Sequence, residues 1–134
     1  MRRKFMRLAA VFAALALVLG GCNYMSFSGS YVNLSKTFTN NSWALTAKSV
    51  NGNASRSVDL TAGNLAALRV SNTNSGGTVE LVLTEGEGEG GVSQTYDITG
   101  PFDGAIDASA FSPGKISMRL NFSGAKDLDL KINW

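Results

Sequence analysis

From Ser42 onward, apolar side chains recur at every second position, in runs separated by turn-forming residues. Trp43, Leu45 and Ala47 alternate with Ala44, Thr46 and Lys48, and Val58 and Leu60 with Asp59 and Thr61. Leu68 and Val70 flank Arg69, Val79, Leu81 and Leu83 stand against Glu80 and Thr84, and Tyr96 and Ile98 stand against Thr95, Asp97 and Thr99. Ile116, Met118, Leu120 and Phe122 form one late run, and Leu128, Leu130, Ile132 and Trp134 form another. A period of two marks strands with one dry and one wet face. Between the runs, Asn51-Gly52-Asn53 and Ser123-Gly124-Ala125-Lys126 carry turn chemistry and are expected to reverse the chain, and Glu85 to Gly91 reads as a hairpin loop. Pro101 and Pro113 fall between runs, where a missing backbone donor does no harm. Only the stretch from Ala62 to Leu68 has helical propensity, enough for about one turn.

Seven to eight strands with polar outer faces predict an all-β fold, an antiparallel two-sheet β-sandwich of immunoglobulin-like or jelly-roll type. The segment Phe111-Ser112-Pro113-Gly114-Lys115-Ile116 resembles the corner before a late strand in immunoglobulin-like extracellular modules, which implies fold and not ligand.

The first residues have a different character. Arg2, Arg3, Lys4 and Arg7 precede an apolar run from Leu8 to Leu19, then Gly20-Gly21-Cys22. This is the tripartite order of an export signal: charge that stays in the cytoplasm, a core that enters the bilayer, and small residues at the cut. As a helix the run would span about 18 Å, well short of the roughly 30 Å hydrocarbon core. Leu19-Gly20-Gly21-Cys22 resembles the lipobox of bacterial lipoproteins. The resemblance implies cleavage before Cys22, diacylglycerol on its sulfur and acylation of the new amino terminus, hence an extracytoplasmic, membrane-anchored protein of the cell envelope. Arg2-Arg3-Lys4-Phe5-Met6-Arg7 also resembles the twin-arginine export motif, but the extreme terminal position and strongly apolar core favour the general secretory route. The segment Trp43 to Gly52 is similar to one in small uncharacterised β-sandwich lipoproteins of gut-type bacteria, a likeness that brings no function with it. The predicted organisation is a cleaved signal over 1–21, a lipidated tether over 22–30 and a sandwich over 31–134. Tyr24 and Phe27, in the tether, are placed either on the membrane interface or at the start of the fold.

Cleavage changes the charge. The whole chain carries 12 basic and 10 acidic residues, a net of +2. Four of the basic groups lie before Cys22, so the mature part is slightly acidic, about −2. With no basic cluster, it lacks the electrostatic footprint of a nucleic-acid binder. The mature length of about 113 residues suits one core. Cys22 is the only cysteine, so no internal disulfide can form.

The absence of histidine and of a second cysteine removes the commonest general base, the soft metal ligands and a thiol nucleophile. No cofactor is expected beyond the acyl groups on Cys22. Carboxylate-pair hydrolysis, which needs two acids about 5 to 9.5 Å apart, leaves Asp97, Asp103 and Asp107 as candidates. The competing reading puts these aspartates in turns and on exposed strand faces, and it is preferred. Glu85, Glu87 and Glu89 alternate with glycines in a pattern a calcium ion could gather, against the simpler reading of a solvated hairpin tip. The same stretch formally matches a dinucleotide-binding glycine fingerprint, but its acids would repel a pyrophosphate and a β pattern follows where a helix is required. Trp43 and Trp134 share the apolar phase of their strands and are assigned to the core. Tyr31 and Phe102 remain as ligand-surface candidates. The last run is read as an ordinary paired strand rather than a free edge offered to a partner. Together these readings describe a non-enzymatic, membrane-anchored β-sandwich of unspecified biochemical role, a binding or envelope protein-interaction module whose partner is the membrane through its anchor and either an envelope protein or a glycan. A carbohydrate-binding module on the cell surface is the alternative, and a small carboxylate hydrolase comes third.

Overall fold

The structure is a computed structural model, described here for residues 25–86 and 91–134; the predicted signal, Cys22, Tyr24, Glu87 and Glu89 lie outside these. Eight strands and one short helix follow in order: β1 (Ser26–Val32), β2 (Ser35–Thr39), β3 (Ser42–Leu60), α1 (Ala62–Ala67), β4 (Arg69–Thr73), β5 (Gly76–Glu85), β6 (Ser93–Asp97), β7 (Phe102–Ala105) and β8 (Gly114–Asn133). Every pairing is antiparallel. The all-β, antiparallel, two-layered expectation is met.

Two of the expected chain reversals are not reversals. β3 runs straight through Asn51-Gly52-Asn53, and β8 runs through Ser123 to Lys126. Both strands serve both layers. In the first layer the order is β2, the first half of β3, the second half of β8, β4 and β7. In the second it is β1, the second half of β3, the first half of β8, β5 and β6. Sheet corners of this kind are made by strands that change layer through bends or bulges.

The corner is a band that crosses β3 and β8 and takes in the start of β5. β3 has a register shift between Val50 and Gly52, and β5 has one between Gly76 and Thr78. Left-handed backbone gathers there: Asn33 at φ 55°, Gly77 at 76°, Gly124 at 60° and Asp127 at 51°. The burial phase slips at the same place. In β3 the inward residues go from Trp43, Leu45 and Ala47 to Val50, Ala54, Val58 and Leu60, and in β8 from Phe122 to Ala125 to Leu128. An extra residue at a bulge keeps apolar side chains inside while the strand bends. Side chains also tie the band together. The Gly124 amide donates to Asn51 Oδ1 at 2.9 Å, and Ser75 Oγ donates to Asp127 Oδ2 at 2.6 Å.

Leu81, Leu83, Ile116, Met118, Leu120 and Ile132 are fully buried between the layers. Each contributes about 1.5–3 kcal/mol of burial. Thr61 caps α1: its side chain accepts from the Asn64 amide at 3.1 Å, and Asn64 Oδ1 accepts from the Thr61 amide at 2.9 Å. β8 is central, paired on both sides, so the last run offers no free edge. The sandwich begins at Ser26, inside the stretch expected to be tether, so Phe27 starts the fold. Its alternation was masked in sequence by the serines and glycine of Ser-Phe-Ser-Gly-Ser.

Candidate functional site

The three aspartates are dispersed. Asp97 lies on the outer face of the second layer, opposite Glu80, whereas Asp103 lies on the outer face of the first, opposite Ser71. Asp97 accepts from the Thr99 amide at 3.0 Å and its hydroxyl at 2.7 Å, and Asp107 accepts from the Ser109 amide at 3.1 Å and hydroxyl at 2.7 Å. These bonds favour the ionised form and hold both carboxyls below the usual range. Asp103 forms an exposed ion pair with Arg69 at 3.3 Å. Beside Asp107, the Tyr96 hydroxyl donates to the Asp107 carbonyl (2.8 Å) or to Gln94 Oε1 (2.7 Å). Burial and then the Asp107 charge raise the pKa of this phenol. Glu85 ends β5, its amide donating to the Val92 carbonyl at 2.8 Å. No group of three or more acidic or sulfur ligands is assembled among the described residues.

Trp43 and Trp134 are buried, at 1% and 8% exposure. They share a partner that the strand pattern did not single out. Arg56, in phase with Ala54 and Val58 on β3, is 6% exposed, and its guanidinium lies 4.6 Å from the Phe38 ring centre, 5.5 Å from Trp134 and 5.9 Å from Trp43. Phe38 and Trp43 stack at 6.4 Å. The arginine on the second half of β3 thus reaches across the sandwich into an aromatic box built by the first layer. The signal in the sequence was a basic residue at an inward position.

Of the two ligand-surface candidates, Phe102 opens β7 half-buried and packs on the core. Tyr31 is 54% exposed, and its ring meets the edge of Phe27 at 5.3 Å. The two rings lie on either side of Gly29, where an added Cβ would stand 2.1 Å from the Asn51 carbonyl oxygen. Only glycine permits that approach.

Two other surfaces are built by the fold. α1 and the β7–β8 connection enclose an open cavity of about 410 Å³, walled by Leu65, Ala66, Ile106 and Phe111 with Asp107 and Ser109 among its lining. Across the outer face of the second layer, the strand register aligns Ser28, Asn53, Asn121, Glu80 and Asp97 in one row and Ser26, Ser55, Arg119, Val82 and Thr95 in the next. This face is a pavement of short hydroxyl and amide side chains with one guanidinium, the two carboxylates of Glu80 and Asp97, and Val82 among them.

Fold and surface together define an antiparallel β-sandwich with a polar outer face on its second layer. No protein-family model matches the chain, and no curated protein matches it. Among solved structures, the chain is similar to TmCBM61 in complex with beta-1,4-galactotriose, over 87% of this chain and 89% of that one, with a TM-score of 0.41 and 15% identity. A likeness at that level carries no functional argument.

Proposed function

We propose that the chain is a non-enzymatic binding module of the bacterial cell envelope, held at a membrane through acylated Cys22. The observation that carries the non-enzymatic reading is the employment of the aspartates. Asp97 and Asp107 close turns as low-pKa carboxylates, Asp103 pairs with Arg69, and Asp97 and Asp103 lie on opposite faces. A general acid needs a carboxyl raised toward neutrality, and those of Asp97 and Asp107 are displaced the other way. The anchor is supported by the lipobox-like Leu19-Gly20-Gly21-Cys22. No helix among the described residues is long and apolar enough to cross a membrane. The test of this reading offers the mature protein a panel of glycans and esters. No turnover is expected, and turnover abolished by Asp103→Asn or Asp107→Asn would overturn it.

A second reading, a carbohydrate-binding module, is favoured by the paved face of the second layer. Short hydroxyls and amides match sugar hydroxyls with little side-chain entropy to lose. On this reading Arg119→Ala lowers affinity for a bound oligosaccharide about tenfold, the loss of one charge-assisted hydrogen bond, measured by calorimetry. An unchanged affinity would place the sugar elsewhere.

A further inference from the structure

The sandwich has four edge strands, and three are protected by charge: β2 carries Lys36, β6 carries Asp97 and β7 carries Asp103. β1, paired only with β3, has the sequence Ser-Phe-Ser-Gly-Ser-Tyr-Val, without a charge or a proline. Uncharged open edges invite association and are normally blunted. The exposed large hydrophobic side chains among the described residues are Tyr31 and Val32, 54% and 49% exposed, neighbours on this same strand. Consecutive strand residues point to opposite faces, so the two flank the free edge of β1 from both sides.

The other relevant fact is where β1 begins. Asn23, Tyr24 and Met25 separate Cys22 from Ser26. Extended chain of that length reaches at most about 14 Å. Resting on the lipid anchor proposed above, we infer that the free edge of β1 is the membrane-apposed edge of the domain, with Tyr31 and Val32 seated in the headgroup region. A tyrosine suits that depth because its ring is apolar and its hydroxyl stays wet. The unpaired backbone groups of β1 also tolerate the headgroup layer, where water and phosphate can satisfy them, though not the hydrocarbon below. Lys126 stands two strands over in the row of Val32 and Ser49, and Lys48 adjoins that row, so the nearest bases favour an anionic surface. Edge-on seating explains why both faces of β1 expose apolar groups while the remaining edges are charged.

The experiment uses the full acylated protein in vesicles of phosphatidylethanolamine and phosphatidylglycerol. Acylation consumes the Cys22 thiol, so Ser30→Cys on β1 and Thr95→Cys on the far edge strand β6 each provide a single site for an environment-sensitive fluorophore. The label at 30 is expected to shift to the blue and to be quenched by headgroup-nitroxide lipid, the label at 95 to do neither, and Tyr31→Ser with Val32→Ser to reduce the effect at 30. Equal, water-like behaviour of both labels on acylated, vesicle-bound protein would overturn the inference and leave the anchor standing. Protection at 30 that needs no bilayer and grows with protein concentration would overturn it in favour of a second copy pairing with β1. Recovery of the protein without acyl groups would overturn the anchor and this seating together.

Discussion

Arg56 occupies a position that the alternation of its strand reserves for an apolar side chain, and the aromatic box explains how it is held. Three ring faces surround the guanidinium, and the residue is 6% exposed, so its methylene stem is buried with it. Arg56→Ala therefore removes packing and cation–π attraction together and is expected to cost about 2–4 kcal/mol, read as a lower denaturant midpoint. Arg56→Lys should recover only part of the loss, because an ammonium does not stack flat against rings. The aspartates make a pH prediction. Their carboxyls are lowered in the folded state, so their contribution is complete above the ordinary value of about 3.9 and lost as pH falls through the lowered values. Thermal melting is expected to fall below about pH 4, and less steeply in Asp97→Asn and Asp107→Asn. Equal acid sensitivity in those variants would show that the two turns contribute nothing. At this scale the sequence was informative where phase decided the outcome, as with Trp43 and Trp134. For Arg56 it offered only a basic residue at an inward position, because ring partners on β2, at the start of β3 and beyond β8 cannot be read from alternation.

At the scale of elements, the strands were visible and their connections were misread. Asn51-Gly52-Asn53 and Ser123-Gly124 have the composition of hairpin turns, and composition alone does not separate a reversal from a bend. The difference lies in pairing. Runs joined by a hairpin pair with each other, whereas the two halves of β3 both pair with β8. The clue was the spacing across each junction: apolar residues three apart, at 47 to 50 and at 122 to 125 to 128, between stretches two apart. The corner then depends on particular backbones. An added Cβ at Gly77 would lie 2.3 Å from the Gly124 carbonyl oxygen, at φ 76°. Gly77→Ala is expected to destabilise the fold by about 2 kcal/mol or more. Gly104→Ala on β7 meets nothing within 4 Å and should stay within about 0.5 kcal/mol of the parent. Similar melting of the two variants would mean the corner is not held by its glycines.

For the whole molecule, the sandwich supplies a rigid body with a sealed interior, and the proposed role follows from what is left on its surface and at its start. The interior is filled by the side chains of two bent strands and their neighbours, so binding is left to the paved face, to the open cavity beside α1 and to the edge of β1. The anchor reading concerns residues before the fold and was carried by the sequence alone, since Cys22 precedes the described part of the chain. It decides whether this body works tethered or free, and a tethered body meets only partners within reach of its membrane. The most direct measurement is metabolic labelling with a radiolabelled fatty acid in the native host, comparing the wild-type chain with Cys22→Ala. Label in the wild type and none in the variant is the predicted result; label retained by Cys22→Ala, or absent from both, would contradict it.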